Sequence, residues 1–90
     1  MMPVALGRVR NPYELTRREV EVLCCFAMGL RCSEVASRLR IDNRTVHFHL
    51  QNAYGKLEVH DRYAALRRAG LAGMSDEELL AISLLGEIKL

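Results

Sequence analysis

Apolar residues along this 90-residue chain recur at helical steps rather than in alternation. The clearest stretch is 42–57, DNRTVHFHLQNAYGKL. Val46, Leu50, Ala53, Tyr54 and Leu57 are separated by steps of four, three, one and three, which form one stripe of an α-helix. Asp42 suits the N-cap, where its carboxylate takes up an orphan amide hydrogen of the first turn. The other face carries Arg44, His47, Phe48, Gln51 and Lys56, and it contains no acid. About 15 residues rising roughly 1.5 Å each make a rod of about 22 Å. A rod of that kind, lined with hydrogen-bond donors, fits the major groove of B-DNA. The same pattern also describes a core helix with a solvated outer face, so the neighbouring segments decide.

Before this stretch, Thr16 and Glu19 form a T-x-x-E capping box, and Leu15 with Val20 forms a hydrophobic staple. They predict a helix over 17–28 with Val20, Leu23, Cys24, Ala27 and Met28 inward, ended by Gly29 in a left-handed cap. Residues 31–39 predict a short second helix burying Val35, Ala36 and Leu39. Its start is weaker, because Arg31 and Cys32 are poor caps. Only Arg40 and Ile41 separate it from Asp42, and two helices joined so tightly are what a helix-turn-helix requires. Asp61 caps a fourth helix that ends at Gly70, with Tyr63, Ala64 and Leu66 able to pack and Arg62, Arg67 and Arg68 outside. Ser75 and Glu78 form another capping box, opening a fifth helix to about Leu85. Residues 1–13 hold both prolines and predict an irregular arm carrying Arg8 and Arg10.

Ninety residues, half of them hydrophobic, allow one small domain with a modest core. The net charge of +2 is unevenly placed. Residues 1–70 hold twelve Lys/Arg against seven Asp/Glu, while 71–90 hold Lys89 against Asp76, Glu77, Glu78 and Glu87. A basic body with an acidic tail matches a nucleic-acid surface with a separate segment. Three cysteines, two of them adjacent, make no disulfide framework and point to a reducing, cytoplasmic setting. No apolar run reaches the roughly 20 residues of a membrane span. Cys24, Cys25 and Cys32 with His47, His49 and His60 lack metal-ligand spacing, so no metal or cofactor is expected. No nucleophile sits with a base and no glycine-rich phosphate loop occurs, so no catalysis is expected.

Taken together, L-T-x-R-E from Leu15, G-L at 29–30, E-V-A at 34–36, T-V-x-x-H-L at 45–50 and N-x-x-x-K-L at 52–57 resemble the LuxR/FixJ (GerE-type) helix-turn-helix. The likeness covers residues 15 to about 70. It implies an all-α fold with a four-helix LuxR-type module over 15–70; the arm over 1–14 and the additional C-terminal helix read in 71–90 lie outside the likeness. It implies a bacterial transcription regulator that binds double-stranded DNA as a dimer, often through its fourth helix, with the third helix in the major groove. RNA polymerase or another regulator is then a further partner. Three positions depart from the family pattern. His47 and Ser33 stand where lysine is common, and each removes a fixed positive charge. Glu58 stands where glycine commonly follows K-L, and must adopt a left-handed turn if that geometry persists. Gly55, inside the third helix, costs about 1 kcal/mol relative to alanine. The family usually carries a receiver or ligand-binding domain ahead of this module, for which 90 residues leave no room, so a stand-alone protein or an excised effector domain is expected, and the Met1-Met2 start and the extra tail favour the first.

By residue-to-residue transfer, the base readers are His47, Phe48 and Gln51. Gln51 suits adenine, His47 can donate to guanine, and Phe48 can rest on a thymine methyl. Arg31, Ser33, Arg44, Thr45 and Lys56 suit phosphates. His49 falls on the inner side as a structural hydrogen-bonder. The fifth helix is apolar over more than half its circumference, so it is expected to pack with the fourth and to complete a homodimer through Tyr63, Leu66, Leu79, Ile82 and Leu85. Folding back within the monomer and taking a partner protein are the alternatives for that tail. A second function also stays open: an interaction module that pairs with and titrates another regulator without strong DNA binding of its own.

Overall fold

The computed structural model describes residues 13–85, and the helix side chains to Leu84. The arm residues Arg8 and Arg10, the side chain of Leu85 and the tail residues Ile88 and Leu90 lie outside the described residues. Among the described residues five helices form, α1 (Arg17–Ala27), α2 (Cys32–Leu39), α3 (Asn43–Leu57), α4 (Arg62–Arg68) and α5 (Asp76–Leu85), and no strand.

The helix starts follow the capping chemistry written in the sequence. The Thr16 amide donates to Glu19 Oε1 at 2.8 Å and the Glu19 amide to Thr16 Oγ1 at 3.1 Å, closing the box at α1. Asp42 and Asp61 accept from the Thr45 and Ala64 amides, each at 2.8 Å, opening α3 and α4. Ser75 and Glu78 exchange the same pair of bonds at α5. At α2 only half a box exists. Glu34 Oε1 accepts from the Arg31 amide at 2.7 Å, and an arginine side chain has no acceptor to return.

The helix ends share one device. Gly29, Arg40, Glu58 and Gly70 all have positive φ, and each is followed by an apolar residue. Those followers, Leu30, Ile41, Val59 and Leu71, send their amides back to Cys25, Ala36, Tyr54 and Leu66 and pack on the core. This is the Schellman geometry, in which a left-handed residue turns the chain so that an apolar one seals the corner. Two of the four turns use glycine. Arg40 and Glu58, at φ 60°, carry the Cβ penalty of the left-handed region. The turn expected at Glu58 is therefore present.

α1 is central and touches each of the other four helices. Val20, Val22, Leu23, Cys24, Cys25 and Phe26 are all buried, while Ala27 and Met28 are half-buried. A single inward stripe was too narrow an expectation, because partners on several sides bury most of the circumference. On α4 the inner positions are Ala65 and Ala69; Ala64 and Leu66 are half-buried and Tyr63 is 69% exposed. The buried positions there are small, and Tyr63 is left outside. α5 lies on α1 and makes no helix contact with α4, contrary to the expected pairing. Leu79 and Ile82 enter the same buried cluster as α1–α4 and so face their own monomer.

A buried ion pair joins the two longest helices. Glu19 is 3% exposed, and its Oε1 accepts from Lys56 Nζ at 2.8 Å as well as from the Thr16 amide. Lys56 Nζ also donates to the carbonyl of Glu14 at 3.2 Å, a residue held at φ 56°.

Lys56→Met should cost about 2–3 kcal/mol in chemical denaturation, since it strands a buried carboxylate. Glu19→Gln/Lys56→Met should lose less than Lys56→Met alone, and equal losses would show that the charge on Glu19 is immaterial. Separately, a Cβ at Gly55 meets nothing within 4 Å, so Gly55→Ala should gain about 1 kcal/mol. Glu58→Gly should gain about 0.5–1 kcal/mol by relieving the left-handed strain. A loss in either variant would contradict the backbone assignment.

Candidate nucleic-acid interface

The surface in question is the outer face of α3. Val46, Leu50, Ala53 and Leu57 fix its inner face, all buried against α1, α2 and α4. Rotation by 100° per residue then turns Arg44, His47, Phe48, Gln51 and Gly55 outward together, and all five are exposed. Phe48 is 60% exposed at the middle of this face. An exposed phenylalanine ringed by an arginine, a histidine and a glutamine is unlike an ordinary solvated helix surface, and no acid occurs anywhere in α3.

The α2–α3 corner brings further groups to the edge of the face. Arg31 and Ser33, at the start of α2, are exposed. Cys32 Sγ lies 3.5 Å from His47 Nε2 and 4.0 Å from the carbonyl of Asn43. His47 is thereby held from α2 by one ring nitrogen. No periodicity in the sequence signals this contact, because it depends on how the two helices cross. Arg31 Nε is 3.9 Å from Glu34, an exposed pair that leaves the guanidinium accessible. Thr45 is half-buried. Hydrogen bonds from the Thr45 hydroxyl and amide hold the Asp42 carboxyl below its ordinary range, so this cap is ionised near neutrality.

Lys56 is placed differently from its expected phosphate position. It projects from the flank of α3 towards α1 and is bound to Glu19 and to the Glu14 carbonyl. An ammonium neutralising a buried carboxylate cannot also neutralise a phosphate without stranding that carboxylate. His49 is half-buried on the same flank, with its ring edge-on to Phe48 at 5.6 Å between centroids. On the far side, Arg68 Nη1 donates to the Leu57 carbonyl at 3.3 Å and so secures the end of α3. Arg62 stacks its guanidinium 4.0 Å over the buried Phe26 ring, a use of that exposed arginine which spacing alone did not indicate.

Of the residues assigned to a dimer surface, Tyr63 is exposed, Leu66 half-buried, and Leu79 and Ile82 buried in their own monomer. Burial pushes the Cys24 thiol up to about 12, and Cys25 is raised by the same cause, which leaves both as protonated core residues. Among the described residues no three His, Cys, Asp or Glu side chains gather as metal ligands, and no helix is long and apolar enough to cross a membrane.

Residues 13–69, which carry α1 to α4, match the family model described as bacterial regulatory proteins, luxR family. The transcriptional regulatory protein LiaR of Bacillus subtilis is 44% identical over 67 residues, covering 67% of this chain and 32% of LiaR. The response regulator protein VraR of Staphylococcus aureus is 44% identical over 72 residues, covering 71% of this chain and 34% of VraR. The transcriptional activator protein VanR of Vibrio anguillarum is 42% identical over 59 residues, covering 66% of this chain and 25% of VanR. The chain thus spans about a third or less of the length of these relatives. No solved structure matches it. With more than half of its length matched by the family model, the chain belongs to the luxR family of bacterial regulatory proteins.

Proposed function

We propose that this chain is a sequence-specific, DNA-binding transcription regulator of the bacterial cytoplasm, which lays α3 in the major groove of double-stranded DNA. The observation that carries this reading is the acid-free outer face of α3, with Phe48 exposed between Arg44 and Gln51. Gln51 pairs with the Hoogsteen edge of adenine, His47 donates to guanine, and Phe48 lies on a thymine methyl. Arg31, Ser33, Arg44 and Thr45 bind flanking phosphates and set the register. The protein binds as a homodimer on an inverted repeat and acts on transcription through RNA polymerase or another regulator bound beside it. With Lys56 engaged internally and histidine and serine at two positions where the family commonly has lysine, few cations remain on the face. Two linked half-sites then supply affinity that one monomer lacks.

The test is fluorescence anisotropy on duplexes selected from a random pool, between about 50 and 200 mM salt. Binding should weaken as salt rises, because phosphate contacts release counterions. Gln51→Ala should lose about 1–3 kcal/mol on the selected duplex and clearly less on random sequence. Equal losses on both would make Gln51 a phosphate contact. A folded chain that binds no duplex even at low salt would overturn the proposal and favour the module that titrates another regulator.

A further inference from the structure

The outer stripe of α5 is unaccounted for by the domain's own packing. With Leu79 and Ile82 inward, rotation by 100° per residue turns Glu77, Leu80, Ala81 and Leu84 outward. Leu80 is 37% exposed and Leu84 74%. The two leucines are one helical turn apart, so they form a short apolar ridge rather than scattered exposure. Among the helices α5 touches only α1, so a partner on this ridge leaves the outer face of α3 free.

The ridge has opposite charges at its two ends. Its start carries Glu77, beside Asp76 and Glu78. Its end carries Arg17 of α1, whose Nη2 donates to the Leu84 carbonyl at 2.9 Å. Arg17 also lies 3.7 Å from Glu21, yet its side chain stays 64% exposed, and the fork retains further N–H donors. The cation therefore sits where the negative end of the α5 dipole favours it, and the acids sit at the positive end.

We propose that this stripe pairs with its counterpart on a second copy of the chain, the two α5 helices running antiparallel about a two-fold axis. Under such an axis each patch meets itself reversed, so position i faces j and j faces i. An axis near the middle of the stripe sets Glu77 of each copy against Arg17 of the other, about 10 Å along the helix. Leu80 of each copy then meets Leu80 and Ala81 of the other at the centre, and each Leu84 covers the apolar stem of the other's Glu77. The parallel arrangement brings Glu77 onto Glu77 and is disfavoured by its charge. An anionic partner such as nucleic acid or an acidic lipid surface is repelled by the three carboxylates at the start of α5. The self-complementary order, acid then leucines then arginine, selects a second copy. This pairing rests on the dimeric DNA-binding reading and supplies its interface in place of the buried Leu79 and Ile82.

The experiment is sedimentation equilibrium on the whole chain and its variants, with circular dichroism to verify folding. The wild type should show a monomer–dimer equilibrium. Leu84→Asp, at a position too exposed to support the core, should raise the dimer Kd on the order of tenfold to a hundredfold. Glu77→Arg and Arg17→Glu should each weaken the dimer, and the double reversal should return most of the affinity. A wild type that stays monomeric overturns the pairing, as does a dimer indifferent to Leu84→Asp or a double reversal no better than either single change. Anisotropy on duplex DNA separates the two readings: a monomer that binds DNA refutes this pairing alone, whereas a dimer sensitive to all these changes that binds no DNA supports the pairing and refutes the DNA reading.

Discussion

The carboxylate of Glu19 is the point on which the arrangement turns. One oxygen takes the Thr16 amide and the Lys56 ammonium, each at 2.8 Å, in a site only 3% exposed. The first contact starts α1. The second fixes the last turn of α3 against that start. A buried charge with one partner missing is far costlier than a well-satisfied one, so α3 has little freedom to slide or rotate on α1. What faces solvent on α3 is set by this constraint together with the inner row Val46, Leu50, Ala53 and Leu57. The arrangement also takes a lysine out of the outward charge and leaves Arg44 and neutral side chains on that face.

The fixation of α3 compensates for weak local features at its end. Gly55 and the left-handed Glu58 both disfavour the final turn. Opposing them are the Val59 amide returning to Tyr54 at 3.1 Å, Arg68 on the Leu57 carbonyl, and Lys56 on Glu19. At the other end the Asp42 cap and the Cys32–His47 contact hold the first turns to α2. The middle, where Phe48 and Gln51 project, is thus secured from both sides. A surface aromatic on so rigid a support loses little side-chain freedom when it is covered, which favours its use in recognition.

The local features were legible in the sequence. Capping boxes at Thr16 and Ser75, aspartate caps at 42 and 61, and the inner row of α3 all follow from rules acting within a few residues. The left-handed turn at Glu58 was legible only through the resemblance, which has glycine at that position. What the sequence hid depends on elements distant in the chain. Lys56 looks like any exposed lysine until α1 brings Glu19 beneath it, 37 residues away. Tyr63 reads as able to pack, yet Ala65 and Ala69 are the buried positions there and Tyr63 stays exposed. The apolar tail helix reads as a partner of α4, but it packs on α1. The polar surface of α3 was visible as a helical stripe, whereas the hold of Cys32 on His47 was not, since no periodicity reports a crossing between helices.

The central claim is that the outer face of α3, with the α2–α3 corner, is the surface that meets DNA. Backbone-amide chemical-shift mapping of the labelled chain, titrated with duplex DNA at low salt, tests it most directly. The account predicts the largest shifts at Ser33, Arg44, His47, Phe48 and Gln51, with Glu19 and the α5 residues Leu80 and Leu84 little changed. Shifts centred on α4 or α5, with the amides of Arg44 to Gln51 unmoved, would contradict it.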